Sequence, residues 1–367
     1  MAERKKPKRK NGDGSFRRLK NGTVEYTVSV GGANGVSKPK RFYGPTESEA
    51  RKAYQDWLRN DPATISADNT TLVQLAEYWL ATYKEDKVSG GNYRNYEIYI
   101  RQHIALYFRN LKPAQIDAEM IEQFFKDKGE LSGSALNYLR IILKSTFKLA
   151  VKKKLTLENP LEDFKLPQKP EKEIQVFPRS SARAILKFSR SDYFGLAIML
   201  LLYTGLRLGE LCALKWSDLD FEEGLIRVRA AISKDKFGRY CYVETTKGKR
   251  TRVVPFHAAL LEELKKAPKG KPDEFVLHNA DGSFLTVNQF ESKYKLFFRR
   301  LNADRKEPIE YKSPHKCRHS FATYTLKGSE NIMAVKDMLG HKSLRTTQRY
   351  VHVDLEDEKK AVKKLSY

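Results

Sequence analysis

Alternating apolar and polar positions near the amino terminus predict a small antiparallel sheet. Apolar side chains occupy every second position of residues 24–30, which is the period of a half-buried strand. The Asn21-Gly22 pair before them predicts a tight hairpin turn, so residues 15–19 form the partner strand. A basic segment over residues 38–43 follows a glycine-rich loop, and residues 46–60 open with a capping-box pattern and predict a helix. The pattern therefore predicts three strands backed by one helix.

From residue 72 to residue 154 the apolar positions change to the three- and four-residue spacing of helices. They form four stretches, over residues 72–83, 93–108, 115–128 and 133–154. We therefore predict an all-α domain over residues 70–165. A polar linker over residues 61–69 precedes this domain, and a linker over residues 166–176 that contains prolines follows it.

The remaining segment, residues 177–367, mixes helices with short strands. An apolar helix is predicted over residues 194–203, and strands are predicted over residues 224–232 and 241–244. This pattern predicts a mainly α-helical domain with a small antiparallel sheet. Together with the small α+β domain of residues 1–60 and the all-α domain, it predicts a multidomain chain.

Length and charge narrow the kind of partner. The 367 residues favour two or three domains, and a formal net charge of +24 points to a polyanionic partner. The net charge is +9 over residues 1–60, +2 over residues 61–170 and +13 over residues 171–367. The first ten residues include six Lys or Arg, which predicts a tail lying along phosphates or, alternatively, a nuclear-import signal. Double-stranded DNA is the leading candidate partner.

Composition also excludes several classes of protein. No stretch reaches the roughly 20 uncharged apolar residues of a membrane span, and no apolar segment follows the basic start as a secretory signal requires. We therefore expect a cytoplasmic protein without a membrane partner. Cys212, Cys241 and Cys317 lie far apart with no C-x-x-C pair, which argues against a disulfide framework or a thiolate zinc site.

Basic residues of the predicted sheet and of the last helix in the all-α domain are candidate DNA contacts. A two-stranded β-ribbon fits the major groove. The candidates on the sheet are Arg17, Arg18, Lys20, Lys38, Lys40 and Arg41. Those on the helix are Lys144, Lys148 and Lys152. An ordinary solvated sheet face, and favourable placement of lysines at the end of a helix dipole, are the alternatives.

Short motifs in the last segment carry groups suited to phosphate chemistry. In chain order they are Arg207 with Glu210 in TGLRLGEL, Lys247 in TTKGKRTRVVPF, His315 and Arg318 in HKCRH, and His341 and Tyr350 in LGHKSLRTTQRY. An arginine braced by a carboxylate three residues later keeps its charge and can clasp two phosphate oxygens. Taken singly, each motif is also what an exposed ion pair, a surface lysine or a half-buried tyrosine would give.

In this order, the motifs TGLRLGEL, HKCRH and LGHKSLRTTQRY closely resemble the boxes of the tyrosine recombinase family, over roughly the last 195 residues. The amino-terminal pattern similarly resembles the AP2-like arm-binding domain of integrases from phages and conjugative transposons. The resemblance implies a site-specific recombinase of a mobile element, with arm-binding, core-binding and catalytic domains and a DNA breaking-rejoining fold. The catalytic set that it implies is Arg207, Lys247, His315, Arg318, His341 and Tyr350, with Glu210 as supporting acid.

These residue types suit the implied reaction. Tyr350 would attack the phosphodiester, and the resemblance makes the resulting phosphotyrosyl link a 3′ link. Arg207 and Arg318 would neutralise the non-bridging oxygens, as a divalent metal does in other nucleases. His315 and His341 would bind the phosphate and help take the phenolic proton, while the lysine of the set protonates the departing 5′-hydroxyl. Because the covalent link conserves the bond energy, resealing needs no ATP, and we expect no cofactor and no metal.

Other functions share part of this pattern. A type IB topoisomerase would use the same chemistry, and a non-catalytic DNA-binding regulator would need the charge but not the complete set. A zinc site of His315, His319 and His341 is a further alternative, although neither H-E-x-x-H nor a cysteine cluster is present. The resemblance also implies a homotetramer on two duplexes, accessory DNA-bending or directionality proteins, and a carboxy-terminal tail that docks on a neighbouring protomer or caps its own domain.

Overall fold

The computed structural model describes residues 14–19, 21–31, 37–60, 70–85, 87–167, 174–244, 251–329 and 331–350, and of residues 29–31, 37, 38 and 58–60 it describes the backbone alone. These residues form two compact units. The first comprises the described residues of Met1–Pro170 together with Lys234–Arg239. The second comprises those of Glu171–Ser233 and Tyr240–Tyr367.

The amino-terminal part of the first unit has the predicted strands and helix. They are β1 (Ser15–Arg18), β2 (Val24–Gly31), β3 (Ser37–Gly44) and α1 (Glu47–Asn60), with the strands antiparallel in the order β1-β2-β3. Half of the predicted capping box is formed: the backbone N–H of Glu49 donates to Thr46 Oγ1 at 3.2 Å, and the Thr46 hydroxyl donates to Glu49 Oε2 at 2.9 Å. One face of the sheet packs on α1, where the rings of Tyr26 and Tyr54 meet edge to face.

Helix α1 also packs on the first helix of the all-α domain, α2 (Leu72–Tyr83). The Tyr54 hydroxyl donates to Glu77 Oε2 at 2.9 Å, and Arg51 Nη1 lies 3.4 Å from Glu97 Oε1. The small sheet and the all-α domain are therefore parts of one compact unit. The linker predicted between them lies outside the described residues.

The all-α domain has four helical segments, as the periodicity predicts. After α2 they are α3 (Gly90–Tyr99) continued by a π-helical turn (Ile100–Ile104) and α4 (Ala105–Phe108), then α5 (Ala118–Asp127) and α6 (Gly133–Lys152). Side chains of all four segments meet in one core around Phe108, Phe124 and Phe147. The predicted second helix is thus one helical segment with a π turn inside it.

A short segment from farther along the chain, Lys234–Arg239, completes the first unit. Arg94 Nη1 donates to the carbonyl oxygen of Phe237 at 2.9 Å, and Lys236 forms an ion pair with Glu85. The Glu85 side chain is only 10% exposed, so the segment packs against the rest of the unit.

The second unit is mainly helical, with two small antiparallel sheets. Its helices are α7 (Arg179–Ser189), α8 (Gly195–Thr204), α9 (Leu208–Cys212), α10 (Ala258–Lys266), α11 (Val287–Leu301), α12 (His315–Ser329), α13 (Ile332–Leu339) and α14 (Leu344–Gln348). Its strands are β4 (Leu219–Asp220), β5 (Leu225–Val228), β6 (Ala230–Lys234), β7 (Tyr240–Glu244) and β8 (Arg252–Pro255), in sheets of order β4-β5-β8 and β6-β7. Helix α8 is buried along most of its length and forms the centre of the core. The predicted multidomain, mainly helical fold with small sheets is confirmed.

The single strand predicted over residues 224–232 is wrong. The structure has two strands there, β5 in one sheet and β6 in the other, with a break at Arg229. The guanidinium of Arg229 pairs with Asp218 at 2.5 Å and donates to Ser217 Oγ at 2.9 Å. Strand alternation shows which residues prefer extended backbone but not which partner strand each one meets.

Within the part of the chain that the structure describes, no helix combines the length and the apolar character needed to cross a bilayer.

Candidate active site

The first arginine of the candidate site is held by the turn between α8 and α9. Gly205 ends α8 in the left-handed region at φ +60°, and Arg207 directly precedes α9. Arg207 Nη1 donates to Glu210 Oε1 at 2.9 Å, and Nη2 donates to the carbonyl of Gly340 at 3.3 Å. The side chain is nevertheless 46% exposed. The guanidinium is therefore held by Glu210 and the Gly340 carbonyl and is still accessible to a phosphate.

Arg252, on β8, is an arginine with 13% side-chain exposure that sequence analysis did not single out. Its Nη1 and Nη2 donate to the two carboxylate oxygens of Glu210 at 2.9 and 2.6 Å, and its Nε donates to the carbonyl of Met338 at 2.7 Å. Burial raises the pKa of Glu210, but the bonds and charges of Arg252 and Arg207 outweigh it, so the pKa is lowered. The carboxylate stays ionised between two guanidinium groups. The sequence spacing could not indicate this contact, because Arg252 and Glu210 are 42 positions apart in the chain.

Arg318, on α12, is the most deeply buried charged group of the site, with 2% exposure. Its Nη1 donates to the carbonyl of Gly205 at 2.6 Å, and its Nη2 donates to the carbonyl of Leu339 at 2.7 Å. Burial, reinforced by the charge of Arg207, lowers the pKa of Arg318 to about 10. The group therefore remains charged at neutral pH and is fixed by two backbone oxygens.

His341 connects Arg318 to the segment that carries the tyrosine. Its Nε2 lies 3.1 Å from Arg318 Nη2, and its Nδ1 lies 2.9 Å from Thr347 Oγ1. Because a guanidinium only donates, Nε2 is the acceptor and we assign the ring proton to Nδ1, which donates to Thr347. Burial, followed by the charges of Arg318, Arg207 and Arg252, lowers the pKa of His341 to about 4. Thr347 was also not singled out from the sequence.

Tyr350 lies two residues beyond α14 and is 5% exposed. Its ring packs in a small apolar cluster with Ala322, Leu326, Val335 and Leu339. It is parallel to the ring of His341, with 6.2 Å between the centroids, and its hydroxyl lies 2.8 Å from Nδ1 of His319. Burial raises the pKa of Tyr350, although nearby arginines, Arg318 first, oppose the shift. The phenol is therefore un-ionised at neutral pH.

The two histidines of α12 lie beside each other, one turn apart. The rings of His315 and His319 meet edge to face with 4.5 Å between the centroids. Burial, followed by the charge of Arg318, lowers the pKa of His315. The zinc alternative needs ring nitrogens of His319 and His341, and three of those four nitrogens already have protein partners. Among the residues that the structure describes, no group of three or more His, Cys, Asp or Glu is arranged to hold a metal.

The structure thus brings most of the predicted catalytic set into one cluster of the second unit. The members are Arg207, Glu210, His315, Arg318, His341 and Tyr350. Lys247 and the tail of residues 351–367 lie outside the described residues, as does Lys20 of the amino-terminal region. The catalytic roles of all these residues stay predictions.

On the amino-terminal sheet, the candidate DNA contacts lie on two different faces. Arg17 and Arg41 lie on the face opposite α1, where Arg17 is beside Glu25 in the register of the sheet. Arg18 and Lys40 belong to the face that packs on α1, and Lys40 Nζ lies 3.8 Å from the centroid of a Trp ring of that helix. The side chain of Lys38 lies outside the described set. Arg17 and Arg41 are therefore the best-placed candidates for a DNA-facing surface.

The lysines of α6 occupy a more acidic neighbourhood than the sequence suggested. Lys144 Nζ donates to the carbonyl of Glu162 at 2.7 Å. Lys144 and Lys148 line a surface cavity together with the acidic residues Glu122, Glu158, Glu162 and Asp163. Lys148 and Lys152 are exposed. Their contact with DNA stays a prediction.

Comparison with known proteins identifies the family. The model of the phage integrase family matches residues 176–357, and that of the phage integrase N-terminal SAM-like domain matches residues 71–128. A tyrosine recombinase of Pseudothermotoga lettingae is 30% identical over 67% of this chain and 80% of its own length. The tyrosine recombinase XerA of Thermococcus onnurineus is 34% identical over 64% of this chain and 76% of its own length.

The chain belongs to the tyrosine recombinase family. It is a DNA-binding enzyme of site-specific recombination, as the sequence motifs predict. Over nearly its whole length this recombinase is also similar to the XerC-like tyrosine recombinase of Caldanaerobacter subterraneus, with 26% identity over 95% of this chain and 97% of that one.

Solved structures show the same fold. The integrase of transposon Tn1549, in complex with a circular intermediate DNA, has a TM-score of 0.69 and 20% identity, covering 80% of this chain and 99% of that one. A lambda integrase dimer bound to a COC′ core site has a TM-score of 0.57 and 16% identity, covering 95% of this chain and 99% of that one.

Proposed function

We propose that this recombinase is the integrase of a mobile element and that it cleaves DNA through a 3′-phosphotyrosyl link to Tyr350. One observation carries the proposal: the buried tyrosine, two arginines and three histidines lie in one cluster. Ring contacts and hydrogen bonds join Arg318, Tyr350 and the histidines, and Arg207 bonds to the carbonyl of Gly340, next to His341. This cluster supplies a nucleophile beside fixed positive charge, which are the two requirements for phosphoryl transfer.

The two arginines differ in how firmly they are held and in how accessible they are. Arg318 is fixed by the carbonyls of Gly205 and Leu339, whereas Arg207 keeps an accessible guanidinium. Arginines held in place before the substrate binds stabilise the charge of the pentacovalent transition state without reorganisation. Their permanent charge takes the part that a divalent metal plays in other nucleases.

The nucleophile needs help to lose its proton. A phenol with a pKa near 10 is about one part in a thousand ionised at pH 7, which corresponds to roughly 4 kcal/mol. Burial raises the pKa of Tyr350 further, and the charges of Arg318, Arg349 and Arg207 only partly offset it. The proton must therefore pass to a neighbouring group as the bond to phosphorus forms. Lys247 is the proposed acid for the departing 5′-oxygen.

We further propose a division of labour along the chain. Residues 1–60 would bind arm-type sites, residues 70–165 and 177–367 would enclose the crossover site, and four protomers would exchange strands between two duplexes. The carboxy-terminal tail would dock on a neighbouring protomer. The outward position of Arg17 and Arg41 on the sheet supports the first part of this assignment.

Trapping the covalent intermediate tests the proposal. On a nicked suicide duplex carrying the crossover site, the wild-type protein should form a protein-DNA adduct, in EDTA and without ATP. Tyr350→Phe should bind the same duplex but form no adduct, because it lacks the hydroxyl. Sequencing the trapped DNA ends would give the site and the polarity of the link. An adduct with Tyr350→Phe, or a requirement for added metal, would refute the assignment.

A joining assay separates recombination from relaxation. Two marked duplexes that carry the site should exchange ends when mixed with the protein. Relaxation of supercoiled DNA with no joined product would instead indicate a type IB topoisomerase-like activity.

A further inference from the structure

Among the residues that the structure describes, the Tyr350 hydroxyl has one side-chain hydrogen-bond partner, and that partner is not in the catalytic set implied by the motifs. His319 Nδ1 lies 2.8 Å from Tyr350 Oη, within ordinary hydrogen-bond distance. His319 is one residue after Arg318 and one helical turn after His315 on α12. A group in direct contact with the nucleophilic oxygen is a candidate for handling its proton.

Both ring nitrogens of the other histidine next to the phenol already have hydrogen-bond partners. His341 Nε2 accepts from Arg318, and its Nδ1 is bonded to Thr347 Oγ1. Its ring is parallel to that of Tyr350, and neither of its two nitrogens is bonded to the Tyr350 hydroxyl. It is therefore a support for the tyrosine and for Arg318.

The contact also defines the form of His319. An un-ionised phenol donates its hydrogen, so Nδ1 is the acceptor and we assign the ring proton to Nε2. A neutral imidazole whose Nδ1 lone pair accepts the phenolic hydrogen is the form that a general base requires.

We propose that His319 is the general base of strand cleavage, accepting the phenolic proton of Tyr350 as its oxygen attacks phosphorus. This inference rests on the proposed function. In the forward step the Tyr350 Oη–P bond forms, the proton moves from Oη to His319 Nδ1, and the bond from phosphorus to the 5′-oxygen breaks. The electron pair of that bond leaves on the 5′-oxygen, which takes a proton from Lys247. Resealing reverses each transfer, and His319 returns the proton to the phenol.

The basicity of His319 depends on the charges around it, and bound DNA would change them. Burial is the largest cause that lowers the pKa of His319, to about 4, and the neighbouring His315 and the cations Lys316, Arg318 and Arg349 lower it further. A phosphodiester anion held by Arg318 would offset part of this positive charge and raise the basicity of the ring. The base would therefore be weakest in the free protein, which leaves the tyrosine protonated until a substrate is bound.

Two substitutions separate a base from a hydrogen-bond partner. His319→Asn keeps an acceptor oxygen near the position of Nδ1 but has no basicity, and His319→Ala removes both. On the nicked suicide duplex at pH 7, both variants should cleave on the order of 100-fold more slowly than wild type under single-turnover conditions. The difference in cleavage rate between each variant and wild type should narrow as the pH rises toward the pKa of the phenol, because the phenol then ionises without a base.

The leaving group gives a second, independent readout. A 5′-bridging phosphorothiolate substrate leaves as a thiolate, whose conjugate acid has a pKa near 8.5, so it needs no protonation. It should restore cleavage by Lys247→Ala and should not restore cleavage by the two His319 variants. His278→Ala is the matched control, since His278 is exposed and bonds to the neighbouring Asn279 carbonyl; it should cleave like wild type.

Several results would overturn the inference. One is a cleavage rate and pH profile for His319→Ala that equal those of wild type. Others are a wild-type cleavage rate for His319→Asn, or cleavage faster than wild type by either variant. The last is restoration of cleavage in both His319 variants by the phosphorothiolate substrate. Urea unfolding and duplex binding would check that the variants fold, and if His319→Ala does not, His319→Asn carries the test. If wild type itself forms no adduct, the proposed function fails and not this assignment.

Discussion

Glu210 is the side chain on which two arginines of the site depend. It accepts from the guanidinium and backbone N–H of Arg207 and from both terminal nitrogens of Arg252. Its own side chain is 10% exposed. Removing one partner of a buried ion network leaves the others uncompensated, and this costs more than the pair contributed.

Glu210→Gln should therefore destabilise the protein by about 3 kcal/mol at pH 7 and slow cleavage. Because the folded pKa of Glu210 is lowered from 4.5, its contribution is complete above that value and is lost as the pH falls through the lower folded pKa. The stability difference between wild type and Glu210→Gln should accordingly shrink below about pH 4.5. Urea unfolding at several pH values measures it.

Glu310→Gln is the matched control for that experiment. Glu310 pairs with Lys312 but is 74% exposed, so its loss should change stability by less than about 0.5 kcal/mol. Equal effects of the two substitutions, or a Glu210 effect independent of pH, would contradict the role assigned to this carboxylate.

Two helix ends anchor the arginines that are proposed to hold the phosphate. Helices α8 and α13 both end at a left-handed glycine, Gly205 and Gly340. The carbonyl of Gly205 accepts from Arg318, and that of Gly340 accepts from Arg207. Carbonyls at a helix carboxyl end carry the negative pole of the helix dipole, which favours a cation there. The two terminations therefore have an electrostatic use besides ending the helices.

Gly205→Ala should disturb both the turn and Arg318. A left-handed backbone costs alanine about 1 kcal/mol, and a β-carbon at Gly205 would lie 2.4 Å from a ring carbon of Phe321, adding roughly 1–3 kcal/mol. Gly224→Ala is the control, since Gly224 has φ +66° but no neighbour within 4 Å. Urea unfolding should show a clearly larger loss for Gly205→Ala, which should also cleave more slowly. Equal losses would mean that the Phe321 contact is unimportant.

Across the whole chain, positive charge is concentrated toward both ends, and the sheet shows how part of it is presented. The outer face of the sheet carries Arg17 and Arg41, while Lys40 turns toward α1. A surface used for arm-type DNA should depend on the first two and not on exposed cations elsewhere in the same region.

The double substitution Arg17→Ala and Arg41→Ala should weaken binding to arm-type DNA and leave crossover-site binding nearly unchanged. If both side chains contact phosphates, the slope of log binding constant against log salt should fall by about 1.8, or 0.9 for each contact. Lys52→Ala, which removes an exposed lysine from α1, is the control. Binding titrations over a salt series measure these effects, and equal losses at both kinds of site would contradict the division of labour.

Much of this architecture was predictable because it is encoded locally. The 3.6-residue period located the four helical segments of the all-α domain, and the capping-box pattern that begins at Thr46 located the start of α1. The pair Arg207 and Glu210 is also local, since three residues of chain separate them. The split of residues 224–232 was not predictable, because its two halves pair with strands of different sheets, β5 with β4 and β8, and β6 with β7.

By itself, the sequence determined the helical periods, the helix-ending glycines and the order of the motifs that identify the family. Only the tertiary structure decided which of these groups meet. Arg252 reaches Glu210 across 42 positions and His319 reaches Tyr350 across 31. The physical reason is that residue spacing defines the face of an element on which a side chain lies. The partner of that face is chosen by the packing of helices far apart in the chain, where burial and hydrogen bonding are satisfied together.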